Sequence, residues 1–233
     1  MDYYYTPPAC IIGHHLRIEG EEYTHIVRVM RKRTGDTIRV VDGVGNAYDA
    51  TIDQMEKHAL LGVVTAHHVR LHEPPFHTTL AVCLLKNPAR FDTLVEKATE
   101  LGVSAFIPLQ TVRTVARQPK TDRWQSIALA AMKQAGRCML PAVHPVSTLD
   151  DALTRAAPGT HLILLHETVD HPRLSDLGPW GPSPVLIVIG PEGGFTEEEV
   201  QKAVGAGCVT AGLGERRLRT ETAAIAAAAL IFR

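Results

Sequence analysis

The chain has 233 residues, 45% of them hydrophobic and 21% charged, with a formal net charge of −1. That suffices to bury a full core, suits one small and one medium domain, and excludes a disordered or collagen-like chain. The four cysteines, Cys10, Cys83, Cys138 and Cys208, stand far apart with no C-x-x-C pair, so they read as reduced thiols and not as a disulfide framework.

Over residues 1–10, tyrosines and prolines stand where a signal peptide would carry a basic segment and an apolar run; export is not expected and the reading is cytoplasmic. Tyr23, Ile26, Val27 and Met30 recur at helical spacing, predicting an amphipathic helix whose other face carries Glu22, His25 and Arg28. Arg28, Arg31, Lys32 and Arg33 crowd one stretch around its end. Short β-like runs follow over 37–42, 47–53 and 59–66, the first two joined by a Gly43-Val44-Gly45-Asn46 turn, a pattern that predicts a small barrel. His67, His68, His72 and His77 come next; with no cysteine nearby and no zinc-like spacing they read as a strand exit and solvated linker, and no metal is expected. At Glu73-Pro74-Pro75 the periodicity stops, so the domains are taken as 1–73 and 74–233.

Beyond that point strands and helices alternate: a strand over 80–85, a helix over 88–101, a strand over 103–109, a helix over 122–135, then strands over 162–165, 185–189 and 209–213. Asn87 and Pro88 supply an N-cap and a first-turn proline, Phe91, Leu94, Val95, Ala98 and Leu101 the buried stripe, and Gly102 the stop. The strand over 185–189 is an unbroken apolar run of the kind buried on both faces. The fold class is therefore α/β with a mainly parallel sheet. Charge is uneven along it: Lys86, Arg90, Lys97, Arg113, Arg117, Lys120, Arg123, Lys133 and Arg137 face only four acidic residues in the same stretch, a balance that suits phosphate contacts. The longest apolar stretch, 223–232, is about half of the ~20 residues a membrane span needs, so no membrane segment is expected.

Two loops carry the chemistry. Gly190-Pro191-Glu192-Gly193-Gly194-Phe195-Thr196 follows the buried strand and opens a helix, where ligands sit in α/β sheets, and its glycines allow close backbone approach. It is neither a dinucleotide fingerprint nor a phosphate loop, and the next helix starts Thr196-Glu197-Glu198-Glu199, a capping box whose carboxylates oppose a phosphate. A sulfonium donor without phosphate, such as S-adenosylmethionine, meets no such repulsion. The second loop, Leu213-Gly214-Glu215-Arg216-Arg217-Leu218-Arg219, follows the next strand and leads through Thr220-Glu221-Thr222 into an alanine-rich helix expected to be almost wholly buried. Two such loops on neighbouring strands would enclose an adenine and its ribose, reading the adenine edge with backbone groups. His166-Glu167 ends a strand on the same sheet edge and either borders that pocket or caps the strand.

Gly190-Pro191-Glu192-Gly193-Gly194-Phe195 together with Leu218-Arg219-Thr220-Glu221-Thr222-Ala223 resembles the SPOUT-class methyltransferases that form 3-methyluridine in bacterial 16S rRNA. The likeness extends through Lys97-Ala98-Thr99-Glu100-Leu101-Gly102-Val103, Gln134-Ala135-Gly136-Arg137 and His25-Ile26-Val27-Arg28-Val29-Met30-Arg31, nearly the whole chain. The resemblance implies a PUA-like RNA-binding barrel at the N-terminus, a C-terminal domain tied in a trefoil knot around the cofactor, a homodimer, and the decoding region of the small ribosomal subunit as target. It implies a cofactor site at Leu165, His166, Ile189, Gly190, Pro191, Glu192, Gly193, Gly194, Leu213, Gly214, Leu218, Arg219, Thr220 and Thr222. It also implies RNA contacts at His25, Arg28, Arg31, Lys97, Gln134 and Arg137. Arg219 is expected to stabilise charge developing on a uracil oxygen, with Glu221 orienting it. The sequence departs from the pattern in Asp2-Tyr3-Tyr4-Tyr5, where similar sequences carry an early arginine, and in Lys133, where an acidic residue is common. The rivals are a SPOUT enzyme acting on ribose 2′-oxygen or another base, a non-catalytic RNA-binding assembly factor and, more distantly, a dinucleotide-dependent oxidoreductase.

Overall fold

A computed structural model describes residues 2–115, 118–167 and 172–232; Arg117 of the basic stretch lies outside them. The chain divides into two compact units, one of Met1–Glu73 with Leu129–Leu140, the other of Pro74–Ala128 with Pro141–Arg233.

In the first unit β1 (Tyr3–Tyr5), β2 (Ile11–Ile12), β3 (His15–Glu19), β4 (Thr37–Val41), β5 (Asn46–Met55) and β6 (Ala59–Val69) form one six-stranded sheet ordered β1-β4-β5-β6-β3-β2. β1 lies parallel to β4 and the other pairs are antiparallel. Leu16 and Ile18 are buried while His15 and Glu19 are exposed, the period-two alternation of a sheet with one covered face. That face meets Tyr4, Ile26, Ile38, Val40, Ile52 and Leu60 in a single core. β6 runs to Val69, beyond the expected end at residue 66, so His67 and His68 are strand residues and not linker. His67 stacks on Tyr48 with ring centroids 4.8 Å apart, and His68 meets the Asp49 carboxylate at 2.9 Å.

The helix expected through Tyr23 and Met30 breaks in two. α1 (Gly20–Thr24) gives way to a π turn, His25–Val29, in which the Met30 N–H donates to the His25 carbonyl at 3.0 Å. Tyr23, Ile26 and Met30 of the expected stripe still pack on the core, Ile26 fully buried, while Val29 outside the stripe is 62% exposed.

Arg137, expected on RNA phosphates, is corrected by its surroundings. It is 2% exposed, its Nη2 donates to Glu73 Oε2 at 2.7 Å, and Glu73 Oε1 accepts the N–H groups of Cys138 and Met139 at 2.8 Å each. A buried cation held by a carboxylate is a structural pair and presents no charge to a partner.

In the second unit β7 (Thr78–Cys83), β8 (Ala105–Leu109), β9 (Ala142–Val143), β10 (His161–Leu165), β11 (Val185–Ile189) and β12 (Val209–Ala211) form a sheet ordered β12-β10-β11-β7-β8-β9, with every pair parallel. The helices are α2 (Pro88–Leu101), α3 (Thr121–Gln134), which runs on into the residues grouped with the first unit, α4 (Leu149–Thr154), α5 (Glu197–Gly205) and α6 (Thr220–Ile231). This is the expected α/β class. α2 has the predicted ends: the Asn87 side chain accepts from the Ala89 N–H at 3.0 Å, and Gly102 stops the helix at φ 111°. β11 is buried at all five residues. α6 differs from expectation, because its buried positions are Thr220, Ala224, Ala227, Ala228 and Ile231 while Thr222 and Ala229 are exposed. Among the described residues no helix is long and apolar enough to cross a membrane.

Candidate active site

Parallel strands release their C-terminal ends on one edge of a sheet, where backbone donors and acceptors of the following loops are free to meet a ligand. Here β12, β10 and β11 are adjacent in that order. The two glycine loops therefore do not sit on neighbouring strands, as the sequence suggested; β10 lies between them and brings Leu165 and His166 to the middle of the site. β12 stops at Ala211, two residues short of the expected end; Gly212 bridges Arg173 and Leu213 enters the loop.

The loops are tied to each other and to the sheet. The Thr220 hydroxyl at the start of α6 donates to the Gly190 carbonyl at 3.0 Å, and Arg217 Nη2 to the Glu192 carbonyl at 3.3 Å. The Arg113 Nη1 donates to the carbonyls of Gly193 and Phe195 at 2.8 and 3.1 Å. At Gly190 a Cβ would stand 3.0 Å from the Phe195 ring, so a side chain there would push Phe195 out of the core. The Glu192 carboxylate accepts from the Lys86 N–H at 3.2 Å, and the predicted capping box is present, with Thr196 N–H donating to Glu199 Oε2 at 2.8 Å. Glu199 Oε1 also accepts from the Val112 N–H at 2.9 Å, so the start of α5 is taken up internally.

These loops enclose a cavity of about 680 Å³. Leu165, His166, Ile189, Gly190, Pro191, Glu192, Gly193, Gly194, Leu213, Gly214, Leu218, Arg219 and Thr220 all line it. Thr222 is exposed on α6 and is not among the lining residues. Arg90, Arg113, Arg216 and Arg217 join Arg219 at its walls against Glu167, Glu192 and Glu215, a surplus of cations around an apolar and backbone-rich interior. Arg217 Nε stands 3.3 Å from Glu167 Oε1. Glu221, expected to orient Arg219, instead faces Arg90 Nε at 3.5 Å and is 14% exposed on its side chain; its Oε2 has no hydrogen-bond partner among the described residues. The expected pairing is corrected: Glu221 is the second residue of α6 and meets α2, whereas Arg219 precedes the helix and is exposed. Sequence reasoning passed over Arg90 and Arg113 as site residues, because each lies on an element far in sequence from the glycine loops.

None of the expected RNA contacts is among the residues that line this cavity. Arg28 and Arg31 are exposed, Arg31 in left-handed backbone at φ 55°. Lys97 is held at 2.8 Å by both Glu96 and Glu100, which raises its pKa. His25 and Gln134 border a cleft within the first unit.

Residues 72–232 match the model of an RNA methyltransferase domain, and residues 18–65 that of an RNA methyltransferase PUA domain. Two ribosomal RNA small subunit methyltransferases E are similar along most of the chain, each 32% identical. That of Bacillus subtilis aligns over 92% of this chain and 88% of its own, and that of Synechocystis over 96% and 75%. The crystal structure of the Neisseria gonorrhoeae protein of the same name, bound to S-adenosyl methionine, is 31% identical with a TM-score of 0.87, covering 98% of this chain and 95% of that one. The chain belongs to the RNA methyltransferase family that includes the ribosomal RNA small subunit methyltransferases E.

Proposed function

We propose that this protein is an S-adenosylmethionine-dependent methyltransferase that modifies N3 of a uridine in the decoding region of 16S rRNA in the small ribosomal subunit. The observation that carries the reading is the cavity at the ends of β10, β11 and β12, walled by glycine-loop backbone and rimmed with arginines. The cavity fits the donor: Leu165, Ile189, Leu213 and Leu218 supply apolar walls for an adenine, backbone groups of both loops are at hand for its edge, and the α5 start is unavailable to a phosphate. Bound there, S-adenosylmethionine supplies an electrophilic methyl group. Arg219, exposed at the cavity wall, stabilises the negative charge that develops on a uracil oxygen as N3 loses its proton. Glu221 acts through Arg90, fixing a second cation at the same wall. The base has to leave its pairing partner to reach the cavity.

The same reading assigns residues 1–73 to a PUA-like barrel and 74–233 to the methyltransferase domain, with the trefoil knot enclosing the cofactor loops. Arg28 and Arg31 meet RNA phosphates, and His25, Lys97 and Gln134 further RNA groups. The protein works in the cytoplasm as a homodimer, for which the apolar face of α6 with half-buried Ile225 and Ala226 and exposed Ala229 supports contact with a second copy.

The test is methyl transfer from labelled S-adenosylmethionine to unmodified small ribosomal subunits, followed by nucleoside analysis. Labelled 3-methyluridine is the expected product. Label in a 2′-O-methyl nucleoside or another base overturns the assigned atom, and an absence of cofactor binding overturns the enzymatic reading.

A further inference from the structure

The first unit holds a second concavity, of about 530 Å³, lined by Asp2, Tyr3, Tyr4, His25, Lys133 and Gln134 among others. Its walls are built. Lys133 Nζ donates to both oxygens of Glu22, at 2.8 and 2.9 Å, and Glu22 Oε1 also accepts the Tyr5 N–H at 2.7 Å. Gly136 sits at φ 69°, and a Cβ there would stand 3.2 Å from the Tyr3 ring, so the glycine lets an aromatic face form one side. The His72 imidazole is held by its Nδ1 against the Gly136 carbonyl at 3.1 Å. Tyr4 is 1% exposed, and its hydroxyl has no hydrogen-bond partner among the described residues. A buried hydroxyl left in that condition is unfavourable, which a ligand group in the cleft would relieve.

Charge decides what the ligand is. Lys133 is neutralised by Glu22, and Asp2 adds a negative charge at the rim; a phosphate therefore gains little here, unlike at exposed Arg28 and Arg31. Flat aromatic and imidazole rings, an exposed Gln134 amide with donor and acceptor, and an orphan hydroxyl instead match a planar neutral group with hydrogen-bonding edges. Resting on the RNA reading above, we propose that this cleft takes one unstacked nucleobase of the RNA, read by Gln134 and the Tyr4 hydroxyl, and that it is distinct from the cavity where methyl transfer occurs.

The experiment measures affinity of the full chain for a mixed-sequence single-stranded oligoribonucleotide about six nucleotides long, and for its abasic counterpart, across a salt series. Gln134→Ala is expected to weaken binding of the intact strand on the order of tenfold, with the salt slope unchanged and no effect on the abasic strand. Tyr4→Phe is expected to weaken it in the same direction while leaving the thermal midpoint of the free protein equal or higher, which a purely structural hydroxyl would not do. Wild-type affinity in Gln134→Ala, equal losses on both strands, a changed salt slope, or no binding of the intact strand by the wild-type chain overturns the proposal. Cofactor binding and methyl transfer to ribosomal subunits are measured alongside: if they persist while the cleft fails, only the cleft assignment falls.

Discussion

Arg219 and Arg90 reach one cavity wall from different elements, and only Arg90 is fixed by an acid, Glu221. Arg219 is exposed and has no acidic partner among the described residues, which supports its proposed role toward charge that appears during reaction. Arg219→Ala is therefore expected to lower turnover by about a hundredfold or more while S-adenosylmethionine affinity, measured by calorimetry, stays within a few fold. The opposite case is Arg137, whose side chain is 3% exposed beside a Glu73 that is 1% exposed. Arg137→Ala leaves Glu73 buried and unpaired, and is expected to cost about 3–5 kcal/mol in urea unfolding; RNA affinity of the fraction that remains folded should be unchanged. Thiols follow the same logic of burial. Desolvation pushes Cys83 up to about 12 and Cys138 and Cys208 to about 11, so at pH 8 these three should resist alkylation until the chain is unfolded, as mass spectrometry would show.

At the scale of elements, the two glycine loops are ordered by a few side-chain clamps, of which Thr220 to the Gly190 carbonyl is the one that links the start of α6 to the end of β11. Thr220→Val keeps the shape and removes the hydroxyl. It is expected to weaken S-adenosylmethionine binding by about two- to tenfold, the worth of one hydrogen bond, with little change in the unfolding midpoint; an unchanged affinity would remove the clamp from the account. The ends of α2 were legible to the residue because cap, proline and terminal glycine agreed, whereas Leu101 of the expected buried stripe is 36% exposed and Thr99 is buried. At Gly102 a Cβ would also fall 2.6 Å from the Pro74 ring, so local and tertiary demands coincide there. The π turn at His25–Val29 was not legible, since apolar spacing over so short a stretch does not distinguish an α-helix from one widened turn. β1 and β2 were missed for a related reason: a run of three tyrosines and a two-residue strand show no alternation to count; β3 does alternate, but over only five residues.

For the whole molecule, buried neutral acids set the alkaline limit. Tyr4 is pushed up to about 12 by burial and then by Asp2 and Glu22, alongside the three buried thiols. Because the folded chain holds these groups above their ordinary values of 9 to 10, their contribution is fully present below about pH 9. It is lost as pH climbs toward 11 and 12. The urea midpoint should be level from neutral pH to about 9 and fall above it. RNA binding should respond to charge differently: removing Arg28 or Arg31 is expected to lower the salt slope by about one each, whereas removing Arg137 should not.

By itself the sequence determined the α/β class, the ends of α2, the buried strand β11, the capping box of α5 and the two glycine loops that line the cavity. Each of these rests on signals within a few positions of one another, which the backbone reads locally. Tertiary structure alone decided that β10 stands between the two glycine loops, that Glu221 holds Arg90, and that Arg113 braces the first loop. It also decided that Arg137 is a buried strut and that Tyr3, Tyr4, His25, Lys133 and Gln134 share one cleft. Strand order and long-range ion pairs depend on which surfaces meet when the chain packs, and residues some eighty to over a hundred positions apart, such as Arg113 and Gly193 or Glu22 and Lys133, carry no mark in the sequence of the partner that burial will give them.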